Sequence, residues 1–443
     1  MSFQSVRSYG IYHGLPVYSQ DISGLTAIIT GANGISGHYM LRVLTQDPGR
    51  WKNIFCLSRR PPLVPGGLPS NAKHIPLDFL NDPGDIAKVL EHHKVTADHV
   101  FFFSYIQPAP KPGKGIWSDA DELVRVNSLL VSNFAEALKL ANIRPKRFML
   151  QTGAKNYGGH LGPTKVPQEE TDPRVTLEPN FYYSQEDIIE KYCAETGCAW
   201  NVCMPGPILG AVPDAAMNAA FPLAVYATVC RKLGQPLDYP GDIDSWQMTQ
   251  SMSSSMINAY MEEWAVLLGP PNEKYNTCDS SAFAWESTWP RIADWYGIEY
   301  KGPRDGDKYT ENESPFIPRG YGPKGITRRK FRLTDWAKKR EVQEAWRQLA
   351  EEHLLSQKEL ADVDRVFGFL DGTLCRPAPL NFRFVERSIR TQITANSTYS
   401  MDKSRKAGWH GFVDSSESLL EVFKDLEKLK MIPPVPMVKV SFN

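Results

Sequence analysis

Residues 26–37 read TAIITGANGISG, and no other stretch of the 443-residue chain restricts its fold so strongly. Thr26–Thr30 is a short apolar run rich in β-branched residues. Gly31, Gly34 and Gly37 come next with the spacing G-x-x-G-x-x-G, and 38–45 has the pattern of a helix. A strand, a glycine turn and a helix N-terminus form an anion site. The first helical N–H groups have no intrahelical partner, and the helix dipole favours a pyrophosphate. Glycine is needed where the chain turns sharply or its backbone must touch phosphate. The same glycines also fit a turn without a ligand, but their place between strand and helix favours the dinucleotide reading. Thr30, Gly31, Asn33, Gly34 and Ile35 are the cofactor contacts expected here.

The alternation of strand and helix then repeats along the chain. Apolar strands are expected at 53–57, 74–78, 99–103, 147–150 and 200–204, with helices at 85–93, 119–141 and 181–196. The expected fold is α/β: a Rossmann-type doubly wound parallel sheet with a smaller, mostly helical substrate-binding lobe. Residues 21–212 would form the NADP-binding domain. Residues 213–443 would form most of the lobe and the C-terminal helices, with room for strands that return to the sheet.

Ligands of such sheets lie beyond the carboxyl ends of the strands. The second strand ends in Ser58-Arg59-Arg60, with no acid to bind a ribose 2′-hydroxyl. Two arginines there suit a 2′-phosphate, so NADPH/NADP+ is expected over NAD. Asp78 and Phe79 end the third strand near the adenine. Ser104 and Tyr105 end the fourth, Thr152 comes just after the fifth, and Pro205, Gly206 and Ile208 form the turn expected beside a nicotinamide.

Past residue 213 the pattern loosens. Helices are expected at 284–296, where tryptophans would pack, and at 333–352, 357–366 and 415–430; 302–330 reads as a surface loop. Met, Phe and Trp in this part suit an apolar small-molecule substrate. Tyr157, Met217, Trp246 and Phe367 are the candidate substrate contacts. A homodimer is compatible with this reading.

Charge excludes other partners. The 50 basic and 50 acidic residues cancel, giving no case for nucleic acid or an anionic membrane. No run approaches the roughly 18 apolar residues of a spanning helix, and the first twenty residues have no apolar leader core. Seven cysteines without a Cys-x-x-Cys pair point to reduced thiols, no metal site and a cytoplasmic protein.

A reductase of the short-chain dehydrogenase kind normally carries Tyr-x-x-x-Lys on one helix. The match to that spacing is Tyr399 to Lys403, far beyond the sixth strand, where no cofactor contact is expected. The helix that should carry the pair has Tyr182 and Tyr183, followed by Glu186 and Asp187 instead of lysine. Lys155, just after the fifth strand, is available at the same sheet edge.

With TGANGISG, SRRPP, HVFFFSY, QTGAKNYGG, NFYYSQED, MPGPILG and MDKSRKAGWHGF in order, the chain resembles the plant progesterone 5β-reductase and iridoid synthase family. That family is an atypical branch of the extended short-chain dehydrogenases. The resemblance implies that Lys155 and Tyr182 are the catalytic pair. It also implies NADPH-dependent reduction of the C=C bond of an enone or enal, with Tyr182 stabilising the enolate. The chain departs from the family at Asn156, usually histidine, in a shortened 155–182 segment and in IDSWQMTQS at 243–251. Rival readings are a carbonyl reductase, an epimerase, or a redox-inactive NADP-binding relative acting as a regulator or non-redox cyclase.

Overall fold

Seven parallel strands carry the fold, in a computed structural model that describes residues 5–109, 111, 118–161, 164–215, 217–313, 325–375, 378–379 and 398–437. They are β1 (Leu25–Thr30), β2 (Trp51–Ser58), β3 (Ala72–Pro76), β4 (His99–Phe102), β5 (Arg147–Gln151), β6 (Ala199–Pro205) and β7 (Glu273–Thr277). Their spatial order is β7-β6-β5-β4-β1-β2-β3. The order reverses at β1, so a crevice opens between the carboxyl ends of β1 and β4. Helices cover both faces, which is why β1 and β4 are almost continuously apolar.

On one face lie α1 (Ile35–Leu44) and, further along the chain, Ser255–Leu267. They bury Met40, Leu44, Met256 and Trp264 against Ile29, Phe101 and Tyr275. On the other lie α2 (Pro83–His92), α3 (Ala120–Leu140) and α4 (Phe181–Thr196). Ile86, Phe134 and Ile189 pack there with Ile28, Phe102 and Phe148. Each start on this face has a side-chain cap: Asp82 for α2, Asp119 for α3 and Asn180 for α4. Gly197, at φ +75°, ends α4 in the left-handed conformation.

A third core belongs to the helical lobe. It joins α5 (Ala220–Lys232), α7 (Trp285–Tyr296), α8 (Arg340–Glu352), α9 (Val363–Leu374) and α10 (Ser415–Lys428), while α6 (Ser255–Leu267) faces the sheet itself. Phe221, Tyr226, Trp289, Trp346, Phe367 and Phe423 fill this core. Trp285 and Trp289 are fully buried, so the tryptophans of α7 pack as their spacing implies.

The structure corrects several boundaries. The helix expected at 357–366 lies at α9 instead, in spite of Gly368 and Gly372 within it. Burial of Phe367, Leu370 and Leu374 outweighs the poor helix propensity of those glycines. The helix expected over 333–352 is two, Leu333–Ala337 and α8. Within 302–330, Thr310–Glu313 pairs antiparallel with Gly325–Arg329, and 314–324 lies outside the described residues. Most of residues 107–115, a stretch rich in Pro, Gly and Lys, also lies outside them. Val6–Tyr9 and Tyr12–Pro16 form a hairpin that the mixed N-terminal composition did not signal. All seven cysteines are free and buried. Among the described residues no helix is long and apolar enough to cross a membrane.

Candidate active site

The glycine turn has the geometry its spacing implies. Gly31 sits at φ +61°, and a Cβ there would lie 3.1 Å from the backbone of Phe103. A Cβ on Gly37 would lie 2.4 Å from the Gly31 carbonyl oxygen, so α1 and the turn touch backbone to backbone. Gly34 precedes α1 and offers no side-chain cap, leaving the first N–H groups of the helix to a ligand. Asn33, Gly34 and Ile35 are half-buried at this opening. Thr30 is fully buried; its Oγ1 accepts hydrogen bonds from the N–H of Phe103 (3.0 Å) and of Ser104 (3.3 Å), tying β1 to the end of β4.

The neighbouring strand ends divide between support and surface. Ser58 Oγ donates to the Arg60 carbonyl at 2.7 Å and shapes the turn after β2. Arg59 and Arg60 are exposed, and Arg60 meets Asp214 at 3.1 Å. Asp78 is half-buried and accepts the Leu80 N–H at 3.0 Å. Phe79 is buried against Phe134, ring centroids 5.0 Å apart, so its side chain packs the core. Beyond β4, Ser104 and Tyr105 are half-buried. Asn127 on α3 fixes this loop: its Oδ1 accepts the Ile106 N–H and its Nδ2 donates to the Ile106 carbonyl, both at 3.0 Å.

Tyr182 and Lys155 occupy the same edge, from separate elements. Tyr182 stands in the first turn of α4, its N–H bonded to the capping Asn180 side chain. Its hydroxyl lies 3.1 Å from where a Gly153 Cβ would stand, just past the end of β5. Its ring belongs to an aromatic row, 4.3 Å from Phe181, which is 5.6 Å from Tyr105. Burial, then the phenols of Tyr105 and Tyr399, raise the Tyr182 pKa. Tyr182 is therefore a protonated donor through the ordinary pH range.

Lys155 comes two residues after Gly153 on a turn of 3₁₀-helix, Ala154–Tyr157, and is buried. Its ammonium lies 3.5 Å from Glu178 Oε1 and 5.8 Å from the Phe181 ring centroid. Burial lowers its pKa, with Glu178 pulling the other way. Glu178 also bonds His160 Nε2 at 2.6 Å. Burial, then the Lys155 charge, brings the His160 pKa down to about 4, so the ring is neutral at pH 7. Glu178 and His160 carried no motif in the sequence; only the folded loop brings them to Lys155.

Asn156, where the family usually has histidine, donates to Glu186 Oε1 at 3.0 Å. Glu186 is fully buried and also binds Lys274 at 2.5 Å and Arg174 at 3.0 Å. The acid at the lysine position of the Tyr-x-x-x-Lys spacing is thus an ion-pair hub. Thr152 Oγ1 is buried with no hydrogen-bond partner among the described residues. Pro205 ends β6, Gly206 donates its N–H to Ser253 Oγ at 2.8 Å, and Ile208 is half-buried next to it.

For Tyr399 the structure corrects the sequence expectation. Its position beyond the sixth strand implied no contact with the cofactor edge, yet a Cβ on Gly206 would lie 2.9 Å from its ring. The segment is drawn in by Gln168, whose carbonyl accepts the Ser400 N–H and whose N–H donates to the Thr398 carbonyl, both at 2.8 Å. Lys403, its partner in the spacing, pairs instead with Glu273 at 2.6 Å. Tyr157 is buried, donating to Asn276 Oδ1 at 2.6 Å and facing Tyr399 with centroids 5.9 Å apart. Met217 is half-buried. Trp246 and Phe367, by contrast, lie in the lobe core, 4.8 Å from the Tyr239 ring and 6.0 Å from the Trp336 ring. Packing occupies both rings.

The cradle fits a dinucleotide. A close glycine turn, an uncapped helix start, an unpartnered Thr152 hydroxyl and arginines after β2 are the features that such a cofactor uses. Comparison with known proteins agrees. A sequence model of the PRISE-like Rossmann-fold domain matches residues 81–321, more than half of the chain. An uncharacterized Schizosaccharomyces pombe protein is 31% identical over 431 residues, covering 93% of this chain and 98% of that one. The short chain dehydrogenase gsfE of Penicillium aethiopicum is 29% identical, covering 92% and 99%. The 3-oxo-Delta(4,5)-steroid 5-beta-reductase of Arabidopsis thaliana is 27% identical, covering 92% and 93%. The crystal structure of the Bordetella bronchiseptica enzyme WbmG in complex with NAD shares the fold, with a TM-score of 0.54 at 13% identity over 95% of this chain and 98% of that one. By a family match over more than half its length and relatives that run nearly all of it, this chain belongs to the PRISE-like Rossmann-fold family.

Proposed function

We propose that the chain reduces the C=C bond of an α,β-unsaturated carbonyl in a bulky apolar molecule, using NADPH. It is an oxidoreductase of the short-chain dehydrogenase/reductase kind. The observation that carries the finer reading is the meeting of Tyr182 and Lys155 at one sheet edge from separate elements. Arg59 and Arg60, with no acid after β2, support NADP over NAD. Seven buried free thiols suit a reducing compartment such as the cytoplasm. Most of the chain from residue 213 on is assigned to the substrate lobe, while α6 and β7 return to the sheet.

The bound nicotinamide would supply a hydride to the β-carbon. Tyr182, held protonated, then donates a hydrogen bond to the oxygen where enolate charge develops. Lys155 adds positive charge from a buried position, kept in place by Glu178. Tyr105, Phe181 and Tyr399 line the same edge with rings and limit water. The α-carbon takes a proton from water, which balances the reduction.

A panel of enones and enals with NADPH tests this, with products read by NMR. Saturation of the C=C bond with the carbonyl intact is the expected outcome. An alcohol product would identify a carbonyl reductase, and inversion without net NADPH consumption an epimerase. Bound cofactor with no turnover on any enone would sink the reductase reading.

A further inference from the structure

Arg60 and Arg365 come from different parts of the chain and meet on one carboxylate. Arg60 lies just past β2, and Arg365 stands in the first turn of α9. Asp214 lies between them, Oδ2 at 3.1 Å from Arg60 and Oδ1 at 2.5 Å from Arg365. Each carboxylate oxygen thus faces its own guanidinium, as two oxygens of a phosphate monoester would. All three side chains are reachable from solvent, at 68%, 42% and 41% exposure for Arg60, Asp214 and Arg365. Partial burial raises the Asp214 pKa, but the two guanidiniums outweigh it, so the carboxylate stays charged.

We infer that Arg365 belongs with Arg60 to the site for the 2′-phosphate of NADP(H), and that Asp214 is the carboxylate which that phosphate displaces. The sheet sets the location: the chain after β2 is where the adenosine ribose of a dinucleotide lies in this fold. Paired arginines recognise a phosphate through charge-assisted hydrogen bonds, while a carboxylate carries less charge and fewer acceptor oxygens. An exposed ion pair is weak enough to be exchanged. With Asp214 in place the cluster carries one net positive charge; with it withdrawn, two. Asp214 therefore sets how strongly the site prefers a phosphorylated ribose, and Arg365 links that preference to the helical lobe.

This role for Arg365 and Asp214 rests on the proposed preference for NADP, and the test separates the two. Dissociation constants for NADPH and NADH are measured by nicotinamide fluorescence for the wild type, Asp214→Asn and Arg365→Ala. Asp214→Asn should bind NADPH roughly 3- to 10-fold more tightly and Arg365→Ala roughly 3- to 10-fold more weakly, with NADH unchanged in both. NADH binding also reports that each variant is folded. If wild type binds NADH as tightly as NADPH, the NADP reading itself fails. If wild type prefers NADPH but the variants leave the ratio of the two constants unmoved, the three residues form only an ion pair between elements, and the inference is overturned.

Discussion

Tyr182 does its proposed work through a single O–H. Tyr182→Phe should lower kcat by roughly 10²- to 10³-fold, the usual cost of removing one oxyanion donor, while the NADPH dissociation constant stays put. Steady-state kinetics with a fluorescence titration checks both. Tyr399 lies against Gly206 and should act by shape. Tyr399→Ala is expected to raise KM for bulky substrates more than it lowers kcat. The two residues differ in how far the sequence revealed them. The pairing of Tyr182 with Lys155 came from the family resemblance; local pattern gave only their places, one at a helix start and the other after a strand. Tyr399 showed the Tyr-x-x-x-Lys spacing, but that spacing means something only on one helix. Here Tyr399 precedes the short helix Asp402–Lys406, and Lys403 turns to Glu273. Glu178 and His160 showed no signal at all, since a loop contact has no period.

At the scale of elements, α4 is held as firmly as it is placed. Glu186, fully buried, binds Arg174 from the preceding loop, Lys274 from β7 and Asn156 beside Lys155. Removing one charge from a buried cluster leaves the others uncompensated. Glu186→Gln should therefore lower unfolding stability by roughly 2–4 kcal/mol in a urea titration. The same hub explains why β7 escaped the sequence reading. Its residues are EKYNT, and at a sheet edge their side chains pair with α4 and the loops instead of forming an apolar run. Six strands were legible from apolar runs; the seventh is set by its parallel pairing with β6, where Asn201 Nδ2 donates to the Pro270 and Glu273 carbonyls. The shift of α9 has a related cause, because its glycines hide a helix that only burial in the lobe core reveals.

Across the whole molecule, buried histidines make stability depend on pH. His99 opens β4, buried edge-on to Trp51 at 5.7 Å, with Nδ1 unpartnered among the described residues. Burial brings its pKa down from 6.5 to about 4, against the opposing pull of Asp98. Between those values the unfolded chain takes up a proton that the folded chain refuses. This contribution is present above pH 6.5 and is lost as pH falls toward 4. Wild type should thus lose up to about 3 kcal/mol more than His99→Gln over that interval, measured by denaturant unfolding at several pH values.

The late segment around Tyr399 also imposes an order on synthesis. The glycine turn and the six strands β1 to β6 are complete by residue 205, whereas the ring against Gly206 belongs to residue 399. The segment is fastened at several points along its length. Gln168 holds Thr398 and Ser400, Asn276 Nδ2 donates to the Ser400 carbonyl, and His13 and Phe412 exchange backbone hydrogen bonds. A growing chain thus emerges from the ribosome with its glycine turn and first six strands ahead of the segment that reaches Gly206. A chain stalled before residue 398 would lack the ring that lies against Gly206 and faces Tyr157.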